Sequence, residues 1–99
     1  MIYELASIKI DPTKSNEFEA AVKSAAPLFK SSKGCIAMNL QKIIENDGEY
    51  LLQVTWESLE AHIVDFRNSQ NFQDWRALAG PFFIEPPKVV HSDIVGSFF

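Results

Sequence analysis

Residues 50–75, YLLQVTWESLEAHIVDFRNSQNFQDW, change their hydrophobic period part-way along. They start with strand character, pass a helix start signal at Ser58, and continue with apolar residues three and four apart. A chain that turns from strand to helix so quickly must lay the helix back over a sheet, because neither element buries its apolar side alone. The same stretch holds Trp56, His62 and Trp75, leaving only His91 among the Trp and His residues outside it.

The rest of the chain supplies the sheet. Residues 2–10 alternate, with Ile2, Glu4, Ala6, Ile8 and Ile10 on one face and Tyr3, Leu5, Ser7 and Lys9 on the other. Both faces are partly apolar, which predicts a strand inside a sheet that carries helices on one side. Asp11-Pro12-Thr13 breaks this strand and starts a helix over 14–32. Its stripe is Phe18, Ala21, Val22, Ala25, Leu28 and Phe29. Pro27 is expected to kink its last turn, and Gly34 to cap it. Residues 35–44 and 49–56 read as the second and third strands, joined by the hairpin turn Asn46-Asp47-Gly48-Glu49. A helix over 59–69 and a shorter one from Phe72 to Leu78 follow, ended by Gly80-Pro81. The last strand is 88–95, with Val89, His91, Asp93 and Val95 on one face.

The order β-α-β-β-α-β predicts one α+β domain over residues 1–99 with the ferredoxin-like fold. Its helices cover one sheet face. The other face keeps apolar residues with nothing in the chain to cover it, so a homodimer is expected. His91 is placed on that outer face, where its plain role is an interface histidine.

A net charge of −4 without a basic run excludes the usual nucleic-acid surface and a basic membrane-surface helix. No apolar run is long enough for a transmembrane helix. MIYELASIKI alternates and lacks the basic start of a signal peptide. The lone Cys35 cannot close an intrachain disulfide, so a cytoplasmic setting is expected. No His pair stands at i, i+4 and no Cys-x-x-Cys occurs, so no metal site is expected. No glycine-rich phosphate cradle is present either.

Four positions draw chemical interest. His62 can be a half-buried structural histidine or a proton acceptor at the rim of an apolar pocket. Trp56 and Trp75 are costly to bury without a partner for the indole N–H, and could wall a cavity for a flat aromatic ligand. Asn39 offers both a donor and an acceptor to a phenol or quinone oxygen. Tyr3, Phe66, Phe72, Phe82 and Phe83 complete the aromatic set, with Phe72 and Phe82 read as core.

The stretch WESLEAHIVDFRNSQNFQDWRALAGPFFIEPPKVVH resembles the antibiotic biosynthesis monooxygenase family. The resemblance is carried by Trp56, by Glu-x-x-Glu-Ala-His ending at His62, and by Phe66-Arg67-x-Ser69. It continues through Phe72-x-x-Trp75-Arg76, Pro81 and a final strand bearing His91. It implies a dimeric α+β barrel built from two ferredoxin-like sheets, with a pocket between sheet and helices in each subunit. It also implies oxygenation of a small phenolic or hydroquinone-type aromatic by O2 without flavin, haem or metal cofactor. A phenolate is itself a reductant, so the protein need only deprotonate the substrate, hold it and exclude water. Carried onto this chain, His62 is the base and Asn39 the oxygen ligand. Trp56, Phe66 and Trp75 are walls, with Tyr3 and His91 completing the substrate-binding set.

Haem-degrading relatives use an Asn on the first strand and a Trp–His pair on the second helix. Ala6, Asp65 and Trp75 stand there in this chain, so no haem is expected. Quinol-oxidising members often carry a second His where this chain reads Ser69-Gln70-Asn71. Two other readings stand beside the oxygenase: a small-molecule-binding dimer without turnover, and a small-metabolite isomerase or dehydratase.

Overall fold

In the computed structural model, which describes residues 1–99, the strands are β1 (Ile2–Lys9), β2 (Cys35–Lys42), β3 (Glu49–Trp56) and β4 (Lys88–Ser92). The helices are α1 (Ser15–Lys30) and α2 (Gln70–Ala79), with a π-helical segment, Ala61–Phe66, between β3 and α2. The sheet order is β2-β3-β1-β4, and every neighbouring pair is antiparallel. This is the ferredoxin-like α+β fold that the element order predicts.

Alternation decides which side of each strand is covered. Ala6 and Ile8 of β1, with Tyr50, Leu52, Val54 and Trp56 of β3, are buried under the helices. They meet Phe18, Val22, Ala25 and Phe29, which recur at helical spacing on α1. Phe29 then touches Phe66 and Trp75, with ring centroids 4.9 and 5.1 Å apart, so both helical layers share one core.

Local chemistry sets the element ends. Asp11 Oδ1 accepts the backbone N–H of Thr13 at 2.9 Å, and the short turn Pro12–Lys14 leads into α1. At the other end of α1, the Ser32 N–H bonds Phe29 rather than Leu28, at 2.9 Å. The Leu28 carbonyl instead accepts the Ser32 hydroxyl at 2.7 Å and Asn71 Nδ2 at 3.0 Å, the second a link from α1 to the first turn of α2. Ser69 caps α2 by accepting the Phe72 N–H at 3.2 Å.

Several boundaries differ from the sequence expectation: α1 runs Ser15–Lys30 rather than 14–32, and α2 runs Gln70–Ala79 rather than 72–78. β4 stops at Ser92 rather than 95, and β2 stops at Lys42 rather than 44. The helix expected over 59–69 contains the π-turn, in which the Arg67 N–H reaches back to the His62 carbonyl at 3.2 Å. One residue more per turn brings Ala61, His62 and Phe66 all inward.

His91 is also placed differently. β4 pairs with β1 so that His91 lies opposite Glu4 and Val89 opposite Ala6. Glu4 and Ala6 are on the helix face, so His91 points under the helices and not to the outer face. Val90, opposite Leu5, takes the outer position instead.

Gly34 holds the β3–π-helix corner against the end of α1. Its φ is +82°, and its carbonyl accepts the Glu57 N–H at 2.8 Å. A Cβ at Gly34 would lie 2.7 Å from the Ala61 Cβ. Gly34→Ala therefore combines a left-handed backbone penalty with a clash against the π-helix. It is expected to lower unfolding free energy by about 1–3 kcal/mol in urea titration. A change within experimental error would show that this corner does not hold the π-helix in place.

Candidate active site

A carboxylate on the covered face of β1 organises the site. Glu4 is only 6% exposed, among residues that are otherwise apolar. Its Oε1 accepts the indole N–H of Trp56 at 3.0 Å. His62 Nε2 lies 3.2 Å from the same oxygen. The other imidazole nitrogen, Nδ1, is 2.8 Å from His91 Nε2. Glu4, His62 and His91 thus form one chain of proton-exchanging groups, from β1 through the π-helix to β4. The His62 ring also stacks on Trp56, with centroids 5.2 Å apart and planes 16° from parallel.

Each member's charge state follows from its surroundings. Burial pushes the Glu4 carboxyl above its usual range, against the Trp56 hydrogen bond and the positive charge of Arg67, which pull it down. Burial, the Arg67 charge and His91 together push His62 down to about 4. Burial and then Arg67 lower His91 as well. Both imidazoles are therefore neutral at neutral pH.

With Glu4 ionised, His62 presents Nε2–H to the carboxylate and accepts from His91 Nε2–H through Nδ1. One added proton can reverse every link, leaving Glu4 as the neutral acid. The chain can pass a proton along its length without holding an imidazolium.

A cavity of about 790 Å³ opens between the sheet and α2, and Glu4 and His62 both line it. Glu4 Oε2 has no partner in the protein, yet no fully buried polar atom is left unpartnered. Oε2 is therefore the carboxylate oxygen open to the cavity. Ala6, Ile8, Leu52 and Val89 form the floor, Phe72 and Trp75 belong to the α2 wall, and Phe83 and Pro86 add to the lining from the connection before β4.

The residues expected from sequence divide into three groups. His62 and Trp75 line the cavity. Trp56, Phe66 and His91 lie behind that lining and support it: Trp56 and Phe66 pack at 5.2 Å, and His91 holds His62. Asn39 and Tyr3 are not brought to this site. Asn39 pairs with Gln53 on the outer sheet face, where its Oδ1 accepts from Gln41 at 3.0 Å. Tyr3 pairs with Thr55 and Ser92 on the same outer face. Strand geometry is the reason, since residues one position from Glu4 or Leu40 must point the other way.

Sequence reasoning missed Glu4 as a site residue. The signal was a carboxylate among Ile2, Ala6, Ile8 and Ile10, where an unpaired charge is costly to bury. It also missed Arg67 and Arg76, which line the same cavity.

The family model for antibiotic biosynthesis monooxygenases matches residues 1–78. The chain belongs to this family. A Bacillus subtilis relative, YczJ, itself uncharacterised, is 41% identical over 91 residues, covering 92% of this chain and 96% of its own. A solved Bordetella bronchiseptica structure, provisionally named an antibiotic biosynthesis monooxygenase, is 46% identical. It superposes with a TM-score of 0.92 and covers 95% of this chain and 96% of that one. A Caulobacter crescentus structure with the same provisional name is 25% identical, with a TM-score of 0.82, and covers 96% and 90% of the two chains. No helix in this family member is long and apolar enough to cross a membrane.

The buried imidazole gives a pH test. Because His62 is held near 4, the unfolded chain takes up a proton between about pH 6.5 and pH 4 that the folded chain refuses. Folding is therefore weakened as pH falls through that window, by about 2 kcal/mol between pH 7 and pH 5. Glu4, shifted upward, acts with the opposite sign and offsets part of this loss. His62→Gln keeps Glu4 but removes the imidazole. The wild type is expected to lose more stability than His62→Gln between those pH values in urea titrations. Equal losses would mean that His62 is not held neutral.

Proposed function

We propose that the domain is a cofactor-independent monooxygenase acting on a hydroquinone-type aromatic held between the sheet and α2. The observation that carries this reading is Glu4. Its Oε2 opens to the cavity, burial raises its carboxyl above the usual range and so strengthens it as a base, and His62 backs its other oxygen. Family membership supports the oxygenase class.

In this reading Glu4 takes a hydroxyl proton from the substrate. The phenolate gives an electron to O2, and the two recombine as a peroxide on an adjacent ring carbon. Glu4 returns its proton to the peroxide and then removes the proton on that carbon. The O–O bond breaks, a carbonyl forms, and the departing hydroxide takes the proton from Glu4 to become water. One oxygen atom enters the ring, the other leaves as water, and the substrate supplies both electrons. His62 and His91 hold the carboxylate in place and spread its proton along the chain. The apolar floor and Trp75 keep water from the reactive carbon.

Oxygen uptake with naphthalene-1,4-diol, above the autoxidation rate, is the direct test. Glu4→Gln keeps the shape but cannot take a proton, and the rate is expected to fall about a hundredfold or more. Uptake at the buffer rate across a panel of hydroquinones, or full activity in Glu4→Gln, would defeat the reading. The same carboxylate–imidazole chain also suits proton transfer without O2. Turnover of a small metabolite under anaerobic conditions would move the assignment to an isomerase or dehydratase.

The active form in this proposal is a homodimer, as is general among proteins of this family. The outer sheet face supports it, carrying half-buried Tyr3, Leu5 and Leu51 beside exposed Val90. Beyond β4, Ile94, Val95, Phe98 and Phe99 are exposed as well. Light scattering at micromolar concentration is expected to give twice the chain mass, and a monomer mass would remove the dimer from the model.

A further inference from the structure

The chain contains two arginines, Arg67 and Arg76, and both line the cavity that holds Glu4 and His62. The remaining cationic residues are lysines, and none of them lines it. Neither guanidinium forms an ion pair within the chain, although carboxylates outnumber cations thirteen to nine. Arg67 follows the π-helix directly, and its charge is felt at Glu4, His62 and His91. Arg76 lies on α2 with its Cζ 5.8 Å from the centre of the Phe72 ring, within cation–π reach.

The charge balance of the site is therefore unusual for this chain. The molecule is acidic, yet the lining of one cavity takes in both of its forked cations. Arginine suits planar oxyanions because its fork meets two oxygens at once.

We infer that the substrate of this site carries an oxyanion substituent, a carboxylate or a phosphate ester, held by Arg67 and Arg76 while its aromatic ring faces Glu4 and Trp75. This inference rests on the reading of the cavity as a substrate site, and it names the substrate class. The two arginines act in binding and orientation. They set which edge of the ring meets Glu4 Oε2, and no proton passes through them.

The test separates binding from turnover by using ligands that cannot be oxidised as hydroquinones. Naphthalene-1-carboxylate, 1-naphthyl phosphate and the neutral 1-naphthol are titrated calorimetrically at neutral pH. At least one anionic ligand is expected to bind about tenfold or more tightly than 1-naphthol, with its affinity falling as salt rises. Which anion binds better identifies the substituent. Arg67→Gln and Arg76→Gln are each expected to lose that preference, and Arg67→Lys to restore part of it. Both side chains are exposed, and circular dichroism checks that the variants are folded. Glu4→Gln is expected to keep the preference while losing oxygen uptake. Equal binding of all three ligands, or a preference unchanged in both glutamine variants, would overturn the inference. A preserved anion preference in a protein that consumes no oxygen with any hydroquinone would defeat the oxygenase reading and leave this one standing.

Discussion

The site depends on one buried carboxylate. Removing an ion from water costs several kcal/mol unless its lone pairs are met. Here the Glu4 carboxylate receives an indole N–H from β3 and faces an imidazole from the π-helix. That imidazole is fixed by a second one from β4. The requirement to satisfy Glu4 therefore ties together three strands and the corner that follows β3. The π-turn fits this demand. An ordinary helical turn advances the side chains about 100° per residue and would spread Ala61, His62 and Phe66 over about 140°, and the wider turn draws them onto a narrower inward arc.

The fold was legible in the sequence because strand and helix periods are local. β1, β3 and α1 announce themselves by alternation and by a stripe, and Asp47-Gly48 marks the hairpin between β2 and β3. The site was legible only in part. His62 and Trp75 stand out by residue type and do line the cavity. Asn39 also stood out by type, but β2 places it one position from Leu40, and the apolar set determines which side is covered. His91 follows Val89 and Val90, one on each side of the strand, so the pattern offers no clear parity. Only its pairing opposite Glu4 shows which way it faces. The π-turn has no sequence period of its own, so the inward rotation of His62 required coordinates.

The protonation state of the chain is decided by the sign of its neighbours. Burial raises an acid and lowers a base, and each shift moves its group toward the uncharged form. The Arg67 charge lowers all three groups, which favours the carboxylate over either imidazolium. A charge held inside is therefore negative, on Glu4 rather than on an imidazole. Arg67 thus serves two ends that do not conflict. It steadies the ionised Glu4 from a distance, and it offers an oxyanion partner at the cavity edge.

Stability alone does not account for such an arrangement. A buried ionisable chain replaced by apolar residues of similar volume is often neutral or more stable. Around Glu4 the fold has what an apolar replacement would need: Ala6, Leu52 and Val89 along the floor, and Phe66 and Trp75 above. The domain instead keeps a carboxylate with one oxygen bound and one open to a cavity. In a fold where the other levels of the sequence agree, a feature that works against local stability marks where function has been placed. The cavity beside Glu4 Oε2 is that place. The two imidazoles are its support, and the aromatic layer of Trp56 and Phe66 packs behind them.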